Sequence, residues 1–233
     1  MLIINERVVP QVAPELLDRL RRIPPATIGH VLHFGFMDSG LRPTGRRGFI
    51  VCGPAQTVRA MAIDSTVVHH AIALAQAGDV LVIDRNGDRK HACWGEMTSW
   101  AAHTKGIAAT IIDGPMTDVV EIEEMGYLVF SRGISPITTR SQASTGEINT
   151  VVQCGGVSVA PGDIILADDN GVLVLQPDQV AYLVEHCEPI YAREPVTRGR
   201  IQAGEELATF NNSSARLMAA LEAQEAARSG RGH

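Results

Sequence analysis

Three uninterrupted apolar runs constrain this chain more than any other feature: VLVID at 80–84, IAATIID at 107–113 and LVF at 128–130. A strand with one wet face alternates apolar and polar residues, whereas a run apolar at nearly every position suits a strand covered on both faces. Between these runs, residues 96–105 and 118–125 read as helices closed by Gly106 and Gly126. Strand, helix, strand, helix, strand spells parallel βαβ units, because parallel neighbours need a crossover and a helix usually supplies it. The expected fold class is α/β.

The flanking segments are less regular. Residues 15–22 predict a short amphipathic helix with Leu16, Leu17 and Leu20 on its inner face, stopped by Pro24 and Pro25. A second helix is expected over 26–32 with Thr27 as its cap. Residues 38–48 read as a loop, and 49–62 as a strand broken at Gly53-Pro54. Val67, Val68, Ala71, Ile72 and Leu74 predict a helix over 64–76, capped by Asp64 or Ser65 and ended by Gly78. From 151 to 177 strand follows strand, punctuated by Gly155-Gly156, Pro161-Gly162 and Asn170-Gly171, the last suggesting a hairpin turn. The helical pattern returns after Pro177 and in the Ala/Glu/Arg-rich stretch 214–227, and the terminal SGRGH reads as frayed. GDVLVIDRNG at 78–87 and GDIILADDNG at 162–171 share five positions at an offset of 84 (171 − 87). Convergent strand-then-turn chemistry and an ancient duplication both account for the echo.

Composition removes several functional classes. With 20 Lys+Arg against 26 Asp+Glu the net charge is −6, which argues against a non-specific nucleic-acid binder. Aromatics are only 4%, which disfavours recognition of single strands by stacking. No run approaches the roughly 20 apolar residues of a spanning helix, so no membrane partner is expected. The start MLIINERVVPQV places Glu6 and Arg7 inside its apolar stretch and does not read as a secretory signal. Cys52, Cys93, Cys154 and Cys187 are widely spaced with no CxxC, which points away from zinc and toward reduced thiols in the cytoplasm.

The chemistry concentrates in residues 84–121. Here two strand ends, at Asp84 and Asp113, face two helix starts, near Glu96 and Asp118. Open α/β sheets bind ligands outside the carboxyl ends of their strands. Helix N-termini there offer free N–H groups and a positive dipole end to an anion. Four convergent carboxylates beside such a backbone would suit Mg²⁺ or Mn²⁺, which take oxygen ligands and keep several waters. Each acid also has a plain structural reading: Asp118-x-x-Glu121 is a capping box, Glu96 suits any first helical turn, and Asp84 and Asp113 are common turn residues. His91 and Cys93 stand two apart as a conceivable metal or nucleophile–base pair. His69 and His70 sit mid-helix, where only one of the two can face inward. No GxSxG, P-loop or GxGxxG is present.

The segments GPAQTVRA, AGDVLVID, WGEMTSWAAHTKGIAATIIDGPMTD, VFSRGISP and GGVSVAPGDIILADDNGV follow one another in order. Together they resemble the family that includes 4-hydroxy-4-methyl-2-oxoglutarate / 4-carboxy-4-hydroxy-2-oxoadipate aldolases and the regulator of ribonuclease E activity A. The resemblance covers about residues 15–205. It implies one swivelling β/β/α domain over 1–233 with a helical tail at about 206–228, and a homo-oligomer, a trimer or dimer of trimers, with sites between subunits.

What the family does is then an expectation for this chain. Its aldolases cleave 4-hydroxy-2-oxo diacids to pyruvate and a second 2-oxo acid, and decarboxylate oxaloacetate, through a metal-stabilised enolate. The two lysines, Lys90 and Lys105, lie in no apolar run of the kind that tunes a Schiff-base lysine. The resemblance implies Asp118 as the metal-binding residue, Gly95-Glu96-Met97-Thr98 as the loop that cradles substrate, and Glu96 as a metal ligand through water. Glu194 is a candidate for an acid supplied by a neighbouring subunit. One position departs: the aldolases carry Arg immediately before the metal Asp, and here it is Thr117. A hydrogen bond to a charged group is worth roughly 1.5–3 kcal/mol, so its loss from a transition state costs on the order of 10–100-fold. Arg85, Arg89 or Lys90 could restore the cation. Two functions follow: a Mg²⁺- or Mn²⁺-dependent lyase on a small 2-oxo acid, with altered substrate at Thr117, or a non-catalytic binding protein on the same scaffold.

Overall fold

The structure, a computed structural model, describes residues 1–45 and 47–229. Of the terminal SGRGH, read as frayed, residues 230–233 lie outside the described residues. The chain divides into two compact units, Met1–Glu188 and Pro189–His233. Among the described residues no helix is long and apolar enough to cross a membrane.

The first unit opens with β1 (Leu2–Ile4), α1 (Pro14–Leu20), α2 (Pro25–Ile28), β2 (Arg42–Thr44) and the long β3 (Ile50–Arg59). Then come α3 (Thr66–Leu74), β4 (Val80–Asp84), α4 (Glu96–Thr104), β5 (Ala109–Ile112), β6 (Pro115–Met116), α5 (Val119–Met125) and β7 (Val129–Ser131). Six short strands follow: β8 (Gly133–Ile134), β9 (Gly146–Ile148), β10 (Val152–Cys154), β11 (Val157–Val159), β12 (Ile164–Asp168) and β13 (Gly171–Leu175). The boundary between the units falls within α6 (Gln179–Gln202), and the second unit continues with α7 (Leu207–Phe210) and α8 (Ser213–Ser229).

Among the described residues nine strands form one open sheet in the order β1-β9-β3-β4-β5-β7-β2, with β12 joined to β3 and β13 to β12. β3, β4, β5 and β7 run parallel, so the βαβ pattern holds. β4 and β5 are buried at every position because both faces are covered. On one side Leu81, Ile83 and Ile112 pack with Val68 and Ala71 of α3, Ala102 of α4 and Ile122 of α5. On the other, Val80, Val82 and Ile111 pack with Val152, Cys154 and Val159 of the β10–β11 hairpin. A third cluster joins Leu20, Ile28, Val180 and Leu183 to Leu166 and Leu173 of the β12–β13 hairpin.

Four local expectations are corrected. β3 is not broken at Gly53-Pro54: residues 50–54 pair with β12 and 55–59 with β4, so the dipeptide sits where the strand changes partner and a missing N–H costs least. A Cβ at Gly53 would overlap the carbonyl oxygen of Gly78, which approaches there. The second helix is one turn, with Pro24 as N-cap and Pro25 at its first position, while Thr27 lies inside it. α3 ends at Leu74 and not at Gly78; Lys105 donates to Ile72 O at 3.0 Å and to Ala73 O, closing its last turn. The hairpin near Asn170 forms one residue early, pairing Asp168 with Gly171 across Asp169-Asn170.

Candidate active site

The chain leaves β5 through β6 and arrives at Thr117, whose N–H donates to Trp94 O at 2.9 Å and pins the two strand-end segments together. The next residue, Asp118, has φ +57° and ψ +46°. A left-handed non-glycine costs roughly 1–3 kcal/mol and persists only where the surroundings over-determine it. This backbone overturns the capping-box reading. An N-cap needs extended backbone to fold its oxygen over its own helix, and Asp118 makes no such bond. Its carboxylate turns instead to the neighbouring helix: Oδ2 accepts the Glu96 N–H at 2.8 Å and Oδ1 the Thr117 hydroxyl at 3.1 Å.

Gly95 makes the approach possible. A Cβ there would stand 2.8 Å from Thr117 Cγ2 and overlap Asp118 Oδ2. Its own N–H is taken by Thr98 Oγ1 at 2.9 Å. Of the four amides in the cradle, those of Gly95 and Glu96 are therefore engaged, and those of Met97 and Thr98 meet no acceptor among the described residues. They stand in the first turn of a nine-residue helix, where free amides suit an anion.

These residues line a cleft of about 210 Å³. Three groups of residues line it: Ala92, Cys93 and Trp94; residues 95–98 with Thr117 and Asp118; and Ser65 and His69 of the α3 end with residues 138–141. Arg140 in the last group is held by its backbone: its N–H donates to Ile63 O at 2.6 Å and its carbonyl accepts the Ser65 N–H at 2.9 Å. Its guanidinium meets no carboxylate among the described residues.

The expected convergence of four carboxylates does not occur. Glu96 and Asp118 share the cleft. Asp84 pairs with Arg59 at 3.1 Å and accepts the Gln153 N–H at 3.3 Å. Asp113 pairs with Arg132 at 2.6 Å and accepts the Gly155 N–H at 2.8 Å. These two acids anchor the β10–β11 hairpin across the strand ends. Among the described residues no three His, Cys, Asp or Glu side chains gather as a metal site.

The proposed replacements for the missing arginine are also elsewhere. Arg85 is fully buried and donates to Ala60 O at 2.9 Å and Ala62 O at 2.7 Å. Arg89 lies 3.7 Å from Asp113. Neither they nor Lys90 lines the cleft; Arg140 does. Sequence reasoning missed it because nothing local marks Thr-Thr-Arg-Ser as more than a loop. His91 and Cys93 do not form a pair: His91 Nδ1 meets Asp88 at 2.8 Å, and burial pushes the Cys93 thiol up to about 11. His69 and His70 are both exposed. Glu194 lies exposed on α6 in the second unit.

Comparison with known proteins agrees with this architecture. The RraA-like family, described as Aldolase/RraA, matches residues 15–174. A protein of Halalkalibacterium halodurans named "Putative 4-hydroxy-4-methyl-2-oxoglutarate aldolase" is 33% identical over 166 residues, covering 71% of this chain and 78% of that protein. Streptomyces coelicolor RraAS2, described as an unusual member of the RNase ES inhibitor RraA protein family, is 27% identical with a TM-score of 0.69, covering 83% of this chain and 98% of the other. The RNA-processing inhibitor RraA from Thermus thermophilis is 26% identical with a TM-score of 0.56, covering 60% and 84%. By the extent of these matches and the fold they share, the chain belongs to the RraA-like family.

Proposed function

We propose that this chain is a divalent-metal-dependent carbon–carbon lyase that releases pyruvate from a small 2-oxo acid, by aldol cleavage or decarboxylation. One observation carries the reading. Asp118 holds a strained backbone that turns its carboxylate onto the start of α4, in space that only a glycine at 95 leaves open. Strain of that kind persists at sites where function uses it.

The donor set fits Mg²⁺ or Mn²⁺. Each Asp118 oxygen has one protein donor and lone pairs to spare, and Glu96 is half-buried beside it. Hard cations of this kind bind through one or two carboxylates and complete their shell with water and substrate. Asp118 would hold the ion directly and Glu96 through water, with Glu194 of a neighbouring copy the candidate for a third acid in a trimer or dimer of trimers. When bound, the cation supplies charge stabilisation to the oxygen of the 2-oxo group as the carbon–carbon bond breaks.

The rest belongs to the chain itself. The Met97 and Thr98 amides bind the carboxylate next to the oxo group, and the positive end of α4 favours it there. Arg140 lines the same cleft and suits a second carboxylate, on the half of the substrate that departs. Thr117 keeps Asp118 oriented through its hydroxyl and brings no charge of its own. The cleft is smaller than the roughly 300 Å³ or more of a drug-sized site, which matches a small acid.

Pyruvate release from oxaloacetate by the purified protein, with Mg²⁺ and with EDTA, tests this. Metal-dependent release above the metal-only background is expected. Its absence removes the lyase reading. Thr117 and the likeness to RraA structures would then favour the second reading, a non-catalytic regulator whose cleft binds without turnover.

A further inference from the structure

The lining segment 138–141 hangs on one side chain that is not itself part of the cleft lining. Asp64 lies between β3 and α3 and is 2% exposed. Its carboxylate accepts six hydrogen bonds. Oδ1 takes the Thr66 N–H at 3.0 Å, the Thr66 hydroxyl at 2.7 Å and the Gln142 N–H at 3.2 Å. Oδ2 takes the Ser144 N–H and hydroxyl, both at 2.8 Å, and the Thr145 N–H at 3.3 Å. Asp64 and Arg140 also form an isolated parallel bridge, and Thr66 Oγ1 accepts the Ala143 N–H at 2.9 Å.

No lysine or arginine pairs with Asp64 among the described residues. Amides and hydroxyls alone surround its charge, and those hydrogen bonds hold the carboxyl below the usual range despite burial, which opposes them. The arrangement needs an anion. Every atom pointing at the two oxygens is a donor, so an amide nitrogen in place of either oxygen would face donors and leave them unpaired. The loop it gathers does not hold itself: Ala143 sits at φ +53°, a conformation that costs free energy unless its neighbours impose it.

We propose that Asp64 is a positioning residue. Its buried carboxylate ties segment 138–145 to the start of α3 and so fixes the segment that carries Arg140 into the cleft shared with residues 95–98. What the cleft then binds rests on the lyase reading above; the tie itself does not.

The test compares the full chain with Asp64→Asn and Ser144→Ala. Three quantities are measured: amide hydrogen exchange, the rise in melting temperature with Mg²⁺, and the Kd of oxalate, a small dianion, in the presence of Mg²⁺. Steady-state KM and kcat for oxaloacetate accompany them. In Asp64→Asn, exchange at residues 142–145 should rise about 10–100-fold, as losing a hydrogen bond to a charged acceptor implies. The oxalate Kd and KM should rise at least about tenfold, with a smaller fall in kcat. The Mg²⁺ response should persist, since Asp118 is held by Glu96 and Thr117 and by none of the residues that Asp64 gathers. Ser144→Ala should move the same quantities less, and decides the matter alone if Asp64→Asn does not fold.

Unchanged exchange and Kd in both variants overturn the proposal. So does exchange that rises equally in β4 and β5 with loss of the Mg²⁺ response, which marks a general loss of stability. If the wild type itself neither binds oxalate nor responds to Mg²⁺, the lyase reading fails, while the exchange data still decide the tie.

Discussion

Replacing Gly95 by alanine isolates the contact on which the proposed function rests. Gly95 has φ −157°, extended backbone that any residue adopts, so alanine brings no backbone strain. Its Cβ would instead press on Thr117 Cγ2 at 2.8 Å and, more closely, on Asp118 Oδ2. The carboxylate is the free end of a side chain and yields first. A displacement of about an ångström takes Oδ2 out of hydrogen-bond range of the Glu96 N–H. That bond to a charged acceptor is worth roughly 1.5–3 kcal/mol, and alanine returns about 0.4–1 kcal/mol by restricting the unfolded chain. The metal-free protein should therefore lose about 1–2 kcal/mol, or roughly 2–8 °C of melting temperature. The metal response should fall as well. At Mg²⁺ a hundredfold above the wild-type Kd, binding stabilises by about 2.7 kcal/mol. Disturbing a ligand's orientation weakens metal binding about 10–100-fold, leaving about 1.4 to 0.4 kcal/mol at the same concentration. Thermal unfolding with and without Mg²⁺ reads both effects. A Gly95→Ala protein that keeps the full Mg²⁺ response would refute the reasoning, because Asp118 would then not be the ligand that the glycine admits.

Asp118→Asn keeps an oxygen acceptor and tolerates the left-handed backbone, so it should fold with stability within about 0.5 kcal/mol of wild type and yet lose its stabilisation by Mg²⁺; a retained response removes Asp118 from the metal site. Arg140→Ala should raise KM for oxaloacetate about 10–100-fold, with Arg140→Lys recovering part of it, and an unchanged KM excludes a substrate contact. Thr117→Arg adds a cation beside Asp118 and should raise pyruvate release about 10–100-fold; a variant no faster than wild type shows that Arg140 already meets the need or that more than one group is missing. Asp64 carries a depressed carboxyl, so its contribution is fully present above the unfolded pKa near about 3.9 and is lost as pH falls below it. Urea midpoints taken from about pH 6 to about pH 3 should therefore fall more steeply for wild type than for Asp64→Asn, and parallel limbs would mean the group is not held as an anion.

What the sequence disclosed and what it withheld divide along one line, the reach of the interactions involved. β4 and β5 were legible because burial on both faces is written into each residue of the run, whatever covers them. The strand-end acids were not, because their roles depend on distant partners. Asp84 and Asp113 became latches when the amides of Gln153 and Gly155 and the guanidinium groups of Arg59 and Arg132 reached them. Asp118 escaped its capping motif because Gly95, twenty-three positions earlier (118 − 95), left room for its carboxylate. Arg140 entered the cleft through a bridge to Asp64 that no local pattern announces. The same accounting separates latch from ligand. Asp84 and Asp113 are each neutralised by an arginine, so a metal ion would have to compete with a fixed cation. Asp118 has two neutral donors and, among the described residues, no cation at all. Of the three aspartates that residue type and position made equivalent, it alone carries a charge that the fold leaves for something else to neutralise.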